Sequence, residues 1–568
     1  MNQYFKVLDK YQKKQFLIIL IFTFFAMIFE TFSIISILPF LEVFFNDNNS
    51  FLDYELLKFL NLDDLEKNQI YIFVISFVII VFSLKAIYLS YFSFKKYKFL
   101  FDFKTEQSNK LFLSYLYKPF AFHINTNSAQ LIRNLNDSTL ATVFLRYIIE
   151  CLTEIFVFIG ILIFLMFIDF ELTILALLFF GLIGFLFHRN VQKRSSKWGE
   201  LRRVFSGLKL EELNKGFGAI RDIKLLNKEK TFSKYFSNNL KKENDADFKN
   251  TFLLNMPRIW FEWLTMITML AVVFYLSDYP KSEIIVIVGL FAVSAYRLIP
   301  SLTRIMNGIQ MIKYCQPAIK PYLDDLINFE DLEKKNNTNL NENIKFEKKI
   351  HLKNIHFRYS PEKEDVFKDI NFTIHKDSFI GIYGESGVGK TTLINIILGL
   401  LEPSQGSILA DEINISKNKK KWHKLISYIP QNVFIVDDKI SKNIALGIDE
   451  DKIDLQKLEN STKLSRIQKF IYSLPNKFET NCGEVGEKLS GGQRQRIGIS
   501  RALYRNAEIL IFDEFTNFLD PKNEEEILKD VKLMKNKTRI VVSHSKAVLK
   551  YCDIVYKLHD NSLERKDI

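Results

Sequence analysis

The chain has 568 residues, 48% of them hydrophobic, with 54 Phe against only 21 Gly and 12 Pro, a composition that excludes a disordered protein and leaves room for two to four domains. Much of its +12 formal charge falls in connections between apolar runs, where membrane topology accounts for it, so no nucleic-acid partner is invoked. The four cysteines, Cys151, Cys315, Cys482 and Cys552, lie far apart with neither CxxC nor metal spacing, which points to reduced thiols.

Six apolar segments occupy the first part: Leu17 to Phe45, Ile70 to Phe94, Phe144 to Ile168, Phe170 to Val191, Trp260 to Leu276 and Ile284 to Ile299. A bilayer is crossed by roughly 17 to 25 mostly apolar helical residues. Packed as soluble core helices, six such runs would leave no polar face. The first is too long for a signal-peptide core and no small-residue cleavage pattern follows, so it is expected to be retained. The connection from Asn46 to Gln69 is acidic, with Asp47, Asp53, Glu55, Asp63, Asp64 and Glu66, whereas Lys95, Lys96, Lys98 and Lys104 follow the second segment and Arg189, Lys193, Arg194, Lys197, Arg202 and Arg203 the fourth. The excess of Lys and Arg on the inner side predicts that both chain ends are cytoplasmic. Within the acidic connection, Phe51, Leu52, Leu56, Leu57 and Leu60 have the spacing of a short amphipathic helix on the outer surface, though the same residues would equally shield the membrane part. The connections 95–142 and 192–258 keep a helical pattern, interrupted only by Pro119 and Pro257. At 1.5 Å per residue they would extend the membrane helices tens of ångströms into the cytoplasm.

Composition changes near residue 330. The division expected is a membrane domain over 1–328, a linker over 329–345 containing the Asn/Lys/Glu-rich Glu330 to Asn343, and an α/β domain over 346–568. In the last part the apolar strand Phe379 to Tyr383 leads into Gly384, Glu385, Ser386, Gly387, Val388 and Gly389, after which Lys390, Thr391 and Thr392 open a helix. This strand, loop, helix order is the context a phosphate-binding loop requires. Its amides cradle phosphate at a helix N-terminus, Lys390 reaches the β- and γ-phosphates, and the Thr391 hydroxyl takes Mg²⁺. A second strand, Ile509 to Phe512, ends in Asp513 and Glu514: the first is placed for the Mg²⁺ shell, the second to polarise the attacking water. A further glycine loop, Ser490, Gly491 and Gly492, also opens a helix. One chain already has its own phosphate cradle, so this loop is expected to complete the site of another copy, with ATP held between two subunits.

At these residues the chain resembles the ATP-binding-cassette (ABC) ATPases, whose signature is similar to Leu489 through Gln493. The resemblance covers about 220 residues and implies ATP and Mg²⁺ as ligands. It implies that Tyr359 stacks on adenine, that Gln431 senses Mg²⁺, water and the membrane domain, that Asp520 is the D-loop aspartate, and that His544 is the switch histidine meeting the γ-phosphate. The run Gly483 to Gly486 is similar to the loop preceding the signature in exporters. Two positions depart from the pattern: Phe518 replaces a small D-loop residue, and Ser545 follows the switch histidine where Arg is usual. With six membrane segments in front, the arrangement is that of an ABC half-exporter: a six-span helical membrane domain of the type I exporter fold fused to an α/β phosphate-loop domain, in a bacterial inner membrane. With Lys390, Glu514, His544 and the signature all present, a homodimer with two working sites is expected.

Cargo is addressed by charges in or beside the membrane segments: Glu30, Lys85, Arg146, Glu150, Glu154, Arg258, Glu262 and Arg297. Such charges are costly in hydrocarbon and should face one another or a watery cavity. Pairing between helices is the expected role of the acids, and Arg258 with Glu262 has the spacing of a direct pair. Lys85, Arg146 and Arg297 are the candidates for an anionic headgroup. The runs Pro257 to Trp263 and Ala295 to Ile305 resemble segments of the bacterial flippases for lipid-linked oligosaccharides. That resemblance implies a polyprenyl-linked glycan as cargo, with the outer helix on its tail and the basic residues on its pyrophosphate. Exporters of peptides, drugs or lipid A-like glycolipids would share the ATPase chemistry, as would an ATP-gated channel.

Overall fold

The computed structural model describes residues 8–45, 67–275, 281–338, 344–360, 362, 364–516, 518, 520–559 and 562–566. The outer helix expected around residues 51–60 and the acids of 46–66 lie outside these. Contacts divide the chain into two units, one of Met1–Lys118 and Thr126–Glu333, the other of Pro119–Asn125 and Lys334–Ile568.

The first unit is built from long helices: α1 (Lys10–Ile35), α2 (Ile37–Phe45), α3 (Lys67–Tyr117), α5 (Ser128–Ile168), α6 (Phe170–Gly218), α7 (Ile220–Leu226), α8 (Glu229–Tyr275) and α9 (Lys281–Thr338), while the short α4 (Phe120–Asn125) belongs to the second. The 51 residues of α3 span about 75 Å, well beyond a hydrocarbon core of about 30 Å. Among the described residues, Lys10–Leu41, Asn68–Tyr117, Ser128–Ile168 and Glu229–Tyr275 are long and apolar enough to cross a membrane, and the two other apolar segments lie inside α6 and α9. Only 17% of the apolar window of Asn68–Tyr117 is buried, leaving Ile72, Ile79, Ile80, Ile87 and Phe94 on the outside. An apolar surface of that extent is stable only against lipid.

Two details depart from composition-based expectation. The stretch expected to be a linker begins as helix, because α9 runs on to Thr338. Glu330, Asp331, Leu332, Glu333, Lys334 and Lys335 include several good helix formers, so a polar composition there is compatible with helix. The same helix also contains Pro300, Pro317 and Pro321. In bundles, neighbouring helices and side chains re-satisfy the backbone groups that proline frees.

The second unit holds two sheets. Strands β1 (Lys349–Phe357), β2 (Phe367–His375), β4 (Gln405–Ala410) and β5 (Ile413–Asn414) form an antiparallel sheet in the order β2-β1-β4-β5. Strands β3 (Phe379–Tyr383), β6 (Ile426–Ile429), β7 (Ile509–Asp513), β8 (Thr538–Val542), β9 (Ile554–His559) and β10 (Ser562–Lys566) form the other, in the order β10-β9-β3-β8-β7-β6. From β9 to β6 all pairings are parallel, and β10 alone is antiparallel. Strands covered on both faces read as near-continuous apolar runs, as ILIFD and TRIVV do. One buried cluster joins the sheets, taking Ile350 and Phe372 from one, Ile382 and Ile540 from the other, and Leu393 and Ile397 from helix α10 (Lys390–Ile397). Trp422, fully buried in it, donates its indole N–H to the Ile397 carbonyl at 3.0 Å.

Within the helical unit, α6 and α9 meet backbone to backbone: a Cβ at Gly199 would lie 2.0 Å from the Tyr314 carbonyl oxygen. Gly199→Ala is expected to destabilise the protein by about 1–3 kcal/mol, as overpacking does. The check is a lowered thermal midpoint of the detergent-solubilised protein, with Gly216→Ala, where the added Cβ meets nothing within 4 Å, as the control.

Candidate functional site

Parallel order alone gathers a site. Strands β3, β8, β7 and β6 are consecutive neighbours pointing the same way, so the segments leaving their C-terminal ends emerge side by side, where open α/β sheets bind ligands. Those segments carry the Gly384–Lys390 loop, Ser543-His544, Asp513-Glu514 and Pro430-Gln431.

The loop after β3 turns on Gly389, whose φ of +102° is closed to most side chains and whose Cβ position would lie 2.9 Å from Val366. Lys390, at the start of α10, is buried and folds back to donate to the carbonyls of Gly384 at 3.0 Å and Glu385 at 2.8 Å. Burial holds its pKa below the usual lysine value, against the opposing pull of Glu514 and Asp513. Thr391 and Thr392 follow in the first turn, and Tyr359 shares a 2.8 Å hydrogen bond between its hydroxyl and that of Thr392. That bond fixes the tyrosine ring, 36% exposed, beside the loop.

Across from Lys390, Asp513 is 5% exposed and burial raises its pKa, an effect the Tyr428 hydroxyl, donating to Oδ2 at 3.1 Å, and Lys390 counter. Glu514 has φ of +44°, uncommon for a residue other than glycine, and its amide donates to the Val542 carbonyl at 2.9 Å. This conformation aims the carboxylate between two partners: Gln431 Nε2 donates to Oε2 at 2.7 Å, and His544 Nε2 lies 3.1 Å from Oε1. Strained positions of this kind gather at functional sites.

The signature loop is organised as a helix cap. In helix α11 (Gly491–Tyr504), Ser490 Oγ accepts from the Gln493 amide at 3.3 Å, and Gln493 Oε1 accepts from the Ser490 amide at 2.8 Å. This reciprocal box satisfies two donors and leaves the glycine amides at the N-terminus directed outward for an anion. The ring of Phe518 lies against this turn, 3.3 Å from a Cβ position at Gly491. Asp520 caps helix α12 (Pro521–Leu533), accepting from the Asn523 amide at 3.2 Å.

Thr391, Asp513 and the free oxygen of Gln431 are hard oxygen donors, which suit Mg²⁺. Among the described residues no group of three or more His, Cys, Asp or Glu is arranged to hold a metal.

In the helical unit the basic candidates fall into two arrangements. Lys85 Nζ is 2.7 Å from Glu30 Oε2 and 3.0 Å from the Ser33 hydroxyl. Arg297 bridges Glu30 at 3.0 Å and Glu154 at 3.3 Å, while Ser301 and Arg304 also bond Glu154, at 2.7 and 2.5 Å. Arg146 instead pairs with Glu150 at 2.8 Å and shares a polar cavity of 420 Å³ with Lys96, Tyr97, Glu150, Glu154 and Arg304. Lys85 and Arg297 meet through Glu30, because acids at that depth attract the nearest cations, while Arg146 belongs to the other arrangement. Arg304 was missed. Its spacing from Arg297 and Ser301, seven and three residues, places all three on one helical face and was the available signal. Arg258 and Glu262 pair at 2.7 Å as their spacing predicted.

Residues 367–517 match the ABC transporter family. The whole fold is that of an ABC exporter, a helical membrane unit joined to an ABC domain. It superposes with a TM-score of 0.74 on a bacterial Atm1-family ABC exporter with ATP bound, at 17% identity over 98% of this chain and 95% of that one. An ATP-dependent lipid A-core flippase of Wigglesworthia glossinidia brevipalpis is 31% identical over 327 residues, 54% of each chain. The Lactococcin-G-processing and transport ATP-binding protein LagD of Lactococcus lactis is 32% identical over 42% of this chain and 34% of its own. The chain thus spans about half or less of the curated relatives it matches.

Glu514→Gln keeps the shape and removes the basicity of the residue between Gln431 and His544. ATP hydrolysis, followed as phosphate release, should fall by about 10²-fold or more, while ATP binding persists; parental turnover would assign the base elsewhere.

Proposed function

We propose that the protein is an ATP-driven transmembrane exporter that works as a pair of identical chains in a bacterial inner membrane, with both termini in the cytoplasm. The observation that carries this is the placement of Glu514 between Gln431 and His544, opposite the Lys390 loop, in a chain with the exporter fold. The Gly384–Thr392 segment holds the phosphates of ATP, Tyr359 receives the adenine, and Ser490, Gly491, Gly492, Gln493 and Asp520 of a second copy complete the pocket. Thr391, Asp513 and Gln431 would hold Mg²⁺, which neutralises charge on the phosphates when bound. Glu514 takes the proton of the attacking water, and His544 orients it and meets the γ-phosphate. Nucleotide-driven closure of the paired cassettes is carried into the membrane units, which alternate between inward and outward access, and hydrolysis resets them.

For cargo, we infer an amphipathic lipid, a polyprenyl-linked glycan being the particular class. An apolar cavity of 570 Å³ lined by Phe158, Leu162, Leu177, Met269, Val272 and Phe291 suits a hydrocarbon tail. The 420 Å³ polar cavity, with Arg146 and Arg304 partly exposed, suits an anionic headgroup. A glycan needs such a route, since each unpaired hydroxyl costs about 2–7 kcal/mol in hydrocarbon. Lipid A-type cargo is the second reading, favoured by the likeness to the lipid A-core flippase of Wigglesworthia.

Reconstituted vesicles test both. ATP-dependent movement of a fluorescent polyprenyl-pyrophosphate glycan, exceeding that of a lipid A analogue, is expected, and Arg146→Ala should reduce it severalfold with the ATPase retained. Preference for lipid A would select the second reading, and an ion current on ATP binding would remove transport altogether.

A further inference from the structure

Three residues at and just past the C-terminal end of β6 bond in three directions. The Tyr428 hydroxyl donates to Asp513 Oδ2 at 3.1 Å, Gln431 Nε2 donates to Glu514 Oε2 at 2.7 Å, and the Pro430 carbonyl accepts from Gln495 Nε2 at 3.4 Å. Gln495 is 1% exposed, although it is a polar residue only two positions beyond the signature loop in α11. A buried amide left unpaired costs about 1–3 kcal/mol, so its bond to Pro430 is not incidental. The segment 428–431 therefore connects the metal-binding carboxylate, the catalytic base and the signature helix within one subunit.

Each link constrains something that the loops alone leave free. The end torsion of an aspartate is broad and roughly two-fold, and Tyr428 settles it by holding Oδ2, which leaves the other oxygen for a ligand. The Pro430 carbonyl and the Gln431 amide share one planar peptide, so a pull on that carbonyl passes to Gln431, and the fixed φ of proline, near −65°, removes one torsion that would absorb it. The N-terminus of α11 serves the nucleotide of the second copy, whereas Asp513 and Glu514 serve the subunit's own.

We propose that Tyr428 and Gln495 are positioning residues that clamp this segment at its two ends, so that engagement of the signature helix with the partner's nucleotide adjusts Asp513 and Glu514 in the same subunit. This rests on the shared-site reading given above. Tyr428 acts through Asp513, and Gln495 through Pro430 and the neighbouring Gln431.

The test uses the full-length protein in lipid nanodiscs. Mn²⁺ binding in the presence of a non-hydrolysable ATP analogue is followed by electron paramagnetic resonance. Tyr428→Phe should weaken Mn²⁺ about tenfold, the effect of losing one hydrogen bond to a charged group, with metal-free nucleotide affinity and thermal midpoint unchanged. Gln495→Met, similar in shape but lacking the donor, should leave Mn²⁺ affinity within about twofold and lower kcat with KM unchanged. In the double variant the two losses in kcat should fall short of their product, because they act through one segment. Parental Mn²⁺ affinity in Tyr428→Phe, or strictly multiplicative losses in the double variant, would overturn the clamp. Full hydrolysis by Ser490→Arg would instead remove the shared site beneath it, and with it the role of Gln495, while the metal measurement on Tyr428 would still read out separately.

Discussion

The chemistry of the second unit depends on one topological constraint, the parallel alignment of four neighbouring strands. The Gly384–Lys390 loop, His544, Asp513 with Glu514, and Gln431 come from segments up to 160 residues apart, and nothing local brings them together. What does so is the backbone ladder: Ile382 faces Val542, Val542 faces Asp513, and Phe512 faces Ile429, so the four C-terminal ends are level to within a residue. A one-residue slip on any strand would turn its side chains to the opposite face and move the following loop by about 3.3 Å, more than a hydrogen bond tolerates. The apolar filling of those strands thus holds the reacting groups in register as well as stabilising the sheet.

In the helical unit the governing constraint is the cost of charge away from water. Glu30, Lys85, Glu154, Arg297 and Arg304 come from α1, α3, α5 and α9, and their bonds join four helices through two carboxylates. Pairing lowers the cost of burial and also specifies which helix faces meet, since a buried charge separated from its partner is heavily penalised. The polar cavity beside Arg146 and Arg304 is where these two cations stay partly exposed, although Arg304 also bonds Glu154 within the bundle.

Legibility in the sequence followed the range of the interaction. Motifs whose members are adjacent, such as Gly384 to Thr392 or Ser490 to Gln493, read directly because strand, loop and helix follow one another along the chain. Apolar runs gave the membrane segments for the same reason. The helical continuation through Thr338 was not legible, because a solvated helix and a solvated linker share a composition. Tyr428 and Gln495 were hidden for a different reason. Each looks like an ordinary strand or helix residue, and its partner is 85 or 65 positions away.

Sequence by itself determined the kinds of element, the strand, glycine loop and helix order at Gly384 to Thr392, and the division into a membrane-type and an α/β part, since these follow from local propensity, periodicity and adjacent motif residues. Only tertiary structure decided which charges neutralise which. Glu30 lies between Lys85 and Arg297, at 2.7 and 3.0 Å, a pairing that no spacing along the chain announces. The physical reason is that Coulomb and hydrogen-bond energies depend on separations of a few ångströms, and separation along the chain carries no information about them once helices pack.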